Sequence, residues 1–248
     1  MGEGFVDIHC HILPGLDDGA RDTSQTLEML RIARHDGIEA IVATPHIKSG
    51  VFENSRQTIV QAIAGLNGGA EENGVALYPG ADIYISRSLI DDVRMGGLPL
   101  INDKNYLLLE LPDYVLPPLA EIGKMISGLR MDGITPVITH PERNLAILQD
   151  ISILRKLINA GAVCQITAGS ITGKFGAAVR KASFRMMKKG MVHAVASDAH
   201  DTRRRPPVLS DAHAEVVSKF GSSLARDLFI LNPRSILNGV PLAGLSGF

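Results

Sequence analysis

The sequence predicts an α/β fold, a distorted seven-stranded (β/α)7 TIM-like barrel, on three observations. Seven short runs rich in β-branched residues alternate with stretches of helical spacing along the 248 residues. The runs are apolar almost throughout rather than at alternate positions, as a parallel sheet covered by helices requires. Chemically able side chains fall at the C-terminal ends of nearly all of these runs. A closed barrel would bring them together, whereas an open doubly wound sheet would spread them along an edge.

The elements follow in order. FVDIHCHI, from Phe5, is the first strand. TSQTLEMLRIARHDG is a helix with Leu27, Leu30, Ile32 and Ala33 at helical spacing, Thr23 or Ser24 able to cap its start and Gly37 to end it. IEAIVATPH is the second strand, and SRQTIVQAIAGLNGGAEENG a helix closed by its glycines. VALYPGADIYI is the third strand, with a short helix near SRSLIDDVRM. NYLLLELP and LAEIGKMISGLRMDG make the fourth unit, ITPVITHPERN and ISILRKLINAG the fifth, AVCQITAGS and KFGAAVRKASFRMMKKG the sixth. MVHAVASDAH is the seventh strand, and SDAHAEVVSKFGSSLARDLFILN a last long helix. No linker or charge block interrupts the series, so residues 1–248 read as one domain. The tail PRSILNGVPLAGLSGF is too short for its own core and is expected to pack on the barrel or fray.

Composition narrows the class. Hydrophobic residues make up 45% of the chain, enough for a large core. Lys plus Arg number 25 and Asp plus Glu 26, so bulk charge favours neither nucleic acid nor a membrane surface. Cys10 and Cys164 are too few for a disulfide framework and lie in strand-like runs, which fits reduced thiols in a cytosol. MGEGFVDI lacks the regions of a signal peptide, and Gly2 meets only part of a myristoylation pattern. No apolar stretch approaches the ~20 residues of a membrane span. A soluble cytoplasmic protein without membrane insertion is expected.

The strand ends carry the chemistry. They offer His9, His11 and Asp18 after the first run, His46 after the second, Asp82 in the third and Glu110 in the fourth. His140 follows the fifth, and Asp198 and His200 the seventh. Five of the eight histidines therefore mark strand ends. Residues i and i+2 of a strand share a side, so His9 and His11 can grip one ion while Cys10 points into the core. Histidine and carboxylate without thiolate suit Mn, Fe or Zn. Nine candidates exceed the about four to six positions of one ion and suggest two or three ions sharing carboxylates. Closely spaced ions can clamp the attacking and leaving oxygens of a phosphoryl transfer. Arg143 lies three residues after His140, and Arg203, Arg204 and Arg205 follow His200; guanidinium forks match phosphate oxygens. A solvated loop would account for one or two of the arginines in TRRRPP.

Other polar residues have plainer readings. Asp17 can orient its loop or cap the following turn, and Asp7, two residues before His9, can support a ligand. His193 reads as packed mid-strand, His35 and His213 as surface residues. Arg180, Lys181, Arg185, Lys188 and Lys189 form the solvated face of a helix. Neither cysteine sits in a phosphate-cradling loop, so insensitivity to thiol alkylation is expected.

Read together, DIHCHILPGLDDG, TPH, ELP, THPERN and SDAHDTRRRPP resemble the polymerase-and-histidinol-phosphatase (PHP) family. Within it they resemble the manganese-dependent protein tyrosine phosphatases of bacterial capsule and exopolysaccharide synthesis. The resemblance spans about Val6 to Pro207 and implies a trinuclear site. By that resemblance His9, His11 and Asp198 hold the first ion, Asp82 bridges to a second completed by Glu110 and His140, and Asp18, His46 and His200 hold a third. Arg143 and Arg205 are the implied phosphoryl-binding catalytic residues, choices over Arg203, Arg204 and, for the ligand, Asp17 that only the resemblance makes. It further implies manganese as cofactor, with Fe, Zn or Mg as alternatives, in-line attack on phosphorus by a hydroxide generated on the ions, and an autophosphorylated bacterial tyrosine kinase as substrate and partner. One departure stands out: the family usually has Glu where this chain has Asp82. The shorter side chain loses roughly 1.5 Å of reach, so either the strand sits closer or the bridge is weaker.

Alternatives stay open on the residues alone. A small-molecule phosphatase such as histidinol-phosphate phosphatase would use the same site. A metal-dependent amidohydrolase also begins with an H-x-H strand, but His200 and the arginines point to phosphate. A non-catalytic scaffold has no need to keep nine buried ligands.

Overall fold

A computed structural model describes residues 4–242. Its strands are β1 (Phe5–Cys10), β2 (Ile38–Ala43), β3 (His46–Ile47), β4 (Ala76–Pro79), β5 (Asp82–Tyr84), β6 (Tyr106–Glu110), β7 (Thr135–Thr139), β8 (Val163–Thr167) and β9 (Ala194–Ala196). All sheet pairings are parallel, with β1-β2-β4 in one sheet and β3-β5-β6-β7-β8-β9 in the other. The expected α/β fold of parallel strands is present, but the expected second and third strands are each cut in two and the strands fall into two sheets.

The cuts have local causes. Between β2 and β3 stands Pro45, which has no N–H to give a ladder. Thr44 turns its hydroxyl back to accept from Cys10 N at 2.9 Å. Between β4 and β5 stands Gly80, where a Cβ would lie 2.6 Å from Val42 Cγ1, so only glycine lets the chains approach there. On the other flank, Asp198 N donates to His9 O and His11 N to Ala199 O, each at 2.8 Å, with a parallel bridge between Cys10 and Ala199. The chain beyond β9 thus runs beside the end of β1.

Alternation along the strands divides the apolar core in two. Tyr106, Leu108, Val137, Val163, Ala194 and Ala196 belong to an inner cluster with Val6, Ile8 and Val42. Ile236 and Leu237, from the helix Asn232–Asn238, join that cluster. Leu107, Leu109, Ile138 and Ile166 belong to the larger outer cluster with helix residues such as Leu30, Ile126 and Leu157. Cys10 and Cys164 are buried in this outer layer, as expected.

Several helices depart from expectation. The helix Thr23–His35 is capped by Asp22, whose carboxylate accepts from Gln25 N, not by Thr23 or Ser24. The expected second helix is two, Arg56–Ala64 and Asn67–Asn73. The expected last long helix breaks at Gly221, whose φ of 89° lies in the left-handed region. Shorter pieces follow it, including a π-helical turn at Asp227–Leu231. Of the tail, Leu242 is buried, while residues 243–248 lie outside the described ones. No helix among the described residues is long and apolar enough to cross a membrane.

Candidate metal centre

The strand ends converge through three backbone devices. A register shift between Asp7 and Cys10 adds one residue to β1 opposite β2. This bulge turns His9 onto the side of Ile8, toward the other ligands, and leaves Asp7 on the opposite face. His140 and Asp198 follow their strands with φ of 36° and 52°, left-handed conformations that side chains other than glycine rarely adopt. Each turns its side chain back over the strand ends, and strain of this kind concentrates at functional sites.

The ligand atoms form one connected cluster. His9 Nε2 lies 3.1 Å from His11 Nε2, and Asp198 Oδ1 lies 3.5 Å from both. Asp82 Oδ2 sits centrally, 3.5 Å from His9 Nε2 and 3.6 Å from both His46 Nδ1 and His140 Nε2. Glu110 Oε2 is 3.4 Å from His46 Nδ1. Asp18 Oδ1 is 3.7 Å from His46 Nε2 and 3.5 Å from His200 Nε2. All nine expected ligands fall into overlapping groups whose atoms lie within 4.8 Å of one another: His9, His11 and Asp198; His9, Asp82 and His140; His46, Asp82 and Glu110; His11, Asp18, His46 and His200. Asp82, despite its shorter side chain, reaches two of these groups.

These donors fit divalent ions. His11 Nδ1 donates to Asp17 at 2.6 Å and His9 Nδ1 to Gln165 Oε1 at 2.9 Å, which turns both Nε2 atoms toward each other. Buried His46 Nδ1 and Asp82 Oδ2 have no hydrogen-bond partner among the described residues. Histidine nitrogens and carboxylate oxygens crowded together out of water need positive charge among them, from a bound cation or from protons. The same demand for positive charge appears in His11. Burial opposes its charge, but hydrogen bonds and charges from Asp17 and Asp198 outweigh this and raise its pKa to about 10. Asp82 is driven the other way: burial resists ionisation, yet the neighbouring histidines hold its carboxyl well below the usual range. Burial and the charges of Asp82 and Asp113 push Glu110 up to about 8. Burial and the charge of Arg143 push His140 down to about 4, which favours the neutral imidazole a metal needs.

Two guanidiniums stand beside the cluster. Arg143 Nη2 lies 2.8 Å and Arg205 Nη2 2.6 Å from Asp198 Oδ2. Both line a cavity of about 300 Å³ together with the exposed faces of the ligands. Phe175 forms part of its wall, with Arg143 Cζ 4.9 Å and Arg205 Cζ 5.9 Å from its ring centroid. That contact braces two long side chains by cation–π attraction.

Some supporting residues have no strong sequence signal. Gln165 is a lone amide within the apolar β8, and Phe175 lies in a short loop after the helix Ala168–Thr172. Asp17 does orient the loop, accepting from Gly19 N and His46 N at 2.9 Å each, but it also holds His11. Asp7 does not support the His9 ring; it accepts from the backbone and hydroxyl of Ser197 and so ties β1 to β9. His193 is packed, its Nδ1 accepting from Cys164 N, and His35 is exposed. His213, expected at the surface, is half-buried between Phe5 and Phe229. Arg180 leaves the solvated face to pair with Glu215 at 2.6 Å.

Comparison with known proteins agrees with this arrangement. Tyrosine-protein phosphatase YwqE of Bacillus subtilis is 38% identical over 222 residues, 89% of this chain and 87% of its own. Tyrosine-protein phosphatase CpsB of Streptococcus pneumoniae is 30% identical over 240 residues, 94% and 98% of the two chains. A solved structure described as YwqE from Bacillus subtilis and CpsB from Streptococcus pneumoniae, metal-dependent tyrosine phosphatases, superimposes with a TM-score of 0.88. That match has 36% identity and covers 96% of both chains. Dihydropyrimidinase from Brevibacillus agri, at 14% identity and a TM-score of 0.54, shares the fold alone. The profile described as capsular polysaccharide synthesis, CpsB/CapC, matches residues 5–238. The chain belongs to the CpsB/CapC family.

Proposed function

We propose that the protein is a metal-dependent protein tyrosine phosphatase. The observation that carries this reading is the pair of guanidiniums, Arg143 and Arg205, converging on Asp198 at the edge of nine clustered ligands. Relatives that share most of the chain are named tyrosine-protein phosphatases, and the similar solved structure is described as metal-dependent. Manganese is the proposed ion, in two or three copies. His9, His11 and Asp198 would hold one, Asp82, Glu110 and His140 a second, and Asp18, His46 and His200 a third. Such ions supply a water acidic enough to act as nucleophile near neutral pH, and positive charge for the phosphoryl oxygens.

The chain's own residues do the rest. Arg143 and Arg205 fork onto the equatorial phosphoryl oxygens, where charge accumulates during transfer. Phe175 keeps both guanidiniums over the cavity. The tyrosyl oxygen leaves as a phenolate with a pKa near 10, a fair leaving group. Asp17 and Gln165 hold the rings of His11 and His9 in the tautomer that presents Nε2. The two sheets would act together as the staves of a distorted seven-fold barrel in one PHP-type domain of residues 1–248. An autophosphorylated bacterial tyrosine kinase of capsule or exopolysaccharide synthesis, met in the cytoplasm, is the proposed partner.

The test is phosphate release from a phosphotyrosine peptide, a phosphoserine peptide and histidinol phosphate, on chelated protein with Mn, Zn or Mg restored. Turnover of the tyrosine peptide restored by Mn supports the proposal. Preference for histidinol phosphate keeps the site but changes the substrate, and silence on all three sinks the phosphatase reading.

A further inference from the structure

Two residues beyond His140 and one before Arg143, Glu142 is fully buried. Its Oε1 accepts from Thr167 N at 2.9 Å and from Ser170 Oγ at 2.6 Å. Its Oε2 is buried with no hydrogen-bond partner among the described residues. A buried carboxyl is costly to keep, and one oxygen left idle adds to that cost. Stability alone would be served as well by an apolar side chain of similar volume.

The strand pairing shows what the carboxyl replaces. Beyond the Thr139–Gln165 pair of β7 and β8, His140 N still donates to Gln165 O at 2.9 Å. The next rung of a regular parallel ladder would run from Thr167 N to His140 O. That carbonyl is turned elsewhere. The left-handed backbone of His140 directs it into the turn Pro141–Arg143, where it accepts from Arg143 N at 3.0 Å. Glu142 Oε1 takes its place on Thr167 N, so a side chain makes the rung that the backbone cannot. The turn that carries Arg143 is thereby tied to the end of β8.

The second bond reaches Arg143 from the other side. Ser170 belongs to the helix Ala168–Thr172, and Phe175 lies against that helix: a Cβ on Gly169 would be 3.0 Å from its ring. Arg143 Cζ in turn lies 4.9 Å from the Phe175 ring centroid. Contacts therefore run in a closed ring from Glu142 through Ser170, the helix and Phe175 back to Arg143.

We propose that Glu142 is a positioning residue for Arg143: it fixes both the turn that aims the guanidinium and the helix whose Phe175 braces it. The inference rests on the phosphatase reading, in which Arg143 holds the phosphoryl oxygens. A Glu142 that only stabilised the fold would affect turnover alike with or without Arg143.

The experiment is a double-mutant cycle on p-nitrophenyl phosphate turnover at saturating Mn. Glu142→Met fills the same space without an acceptor, and Glu142→Gln keeps an oxygen for Thr167 N and Ser170 Oγ. Glu142→Met should lose roughly 30-fold in kcat/KM, mostly in kcat, with unchanged circular dichroism. Glu142→Gln should recover most of that loss. In an Arg143→Ala background, Glu142→Met should cost less than about threefold, because the group it aims is gone. An equal loss in both backgrounds, or none in either, overturns the inference while the phosphatase reading stands. Should Glu142→Met fail to fold, Glu142→Asp, its reach shortened by roughly 1.5 Å, runs the same cycle. If the wild type hydrolyses no ester, the phosphatase reading fails. The affinity of the Mn-loaded proteins for inorganic phosphate then decides the role of Glu142: coupling between the two positions supports it, and independence overturns it.

Discussion

His140 shows how much one side chain can carry without holding the fold. It stands in a left-handed backbone, within 3.6 Å of Asp82 and 3.9 Å of Glu110, and above the inner apolar cluster rather than in it. His140→Ala should therefore lose at least about 100-fold in kcat/KM and part of its bound metal while circular dichroism stays unchanged. Full activity would remove His140 from the site. Phe175 acts through the arginines: Phe175→Leu keeps the bulk but loses the ring beneath Arg143 and Arg205. A fall of roughly tenfold in kcat/KM at unchanged metal content is expected, and no change would mean that the guanidiniums need no brace. Cys10 and Cys164 are fully buried, and burial pushes both thiols well up. Iodoacetamide on the metal-loaded protein should leave activity intact; its abolition would overturn a mechanism without a cysteine nucleophile.

The loop between His11 and Ala20 is the element on which the ligands depend most. Ala20 N returns to His11 O at 3.0 Å, which brings Asp17 onto His11 and sends Asp18 toward His46 and His200. A Cβ on Gly19 would lie 2.1 Å from His11 O and 2.6 Å from His11 Cβ, contacts with backbone that cannot yield cheaply. Gly19→Ala should displace both aspartates and cost roughly 100-fold in kcat/KM with reduced metal content, measured at saturating Mn. Retained activity would show that the ligands do not need this loop closure. Elements of this kind mark the limit of what the sequence reveals. Apolar runs predict where strands lie, and the ligands could be found because they follow those runs, where two periodicities meet. The cut at Pro45 is written in the residue itself, but the cut at Gly80 and the bulge before His9 depend on how neighbouring strands pass, which no run encodes. Gln165 and Phe175 lie near the ligands only after β8 packs beside β7, so their own neighbours in sequence give no hint.

Across the whole molecule, pH tests whether the core around β8 and β9 is packed as described. His193 N donates to Cys164 O at 2.9 Å, its ring Nδ1 accepts from Cys164 N at 3.0 Å, and its carbonyl accepts from Asn232. It thus joins two strands to the closing helix. Burial, and then the charge of Arg155, lower its pKa from 6.5 to about 4. Between those values the unfolded chain binds more protons than the folded one, so this residue makes stability rise with pH and fall as pH drops from 6.5 toward 4. Asp7 opposes it: burial raises its carboxyl to about 6, so the folded state binds the extra proton there and stability falls with pH over much of the same range. The two trends partly cancel in the wild-type curve, and only a difference curve isolates His193. Asn can place Oδ1 where Nδ1 accepts, without a titrating ring. The stability of His193→Asn relative to wild type should be constant above pH 7. It should improve as pH falls from 6.5 to 4, by at most about 1.4 kcal/mol per pH unit. Urea unfolding at half-unit steps measures this, and a flat difference would show that His193 takes up its proton in the folded protein as easily as in the unfolded chain.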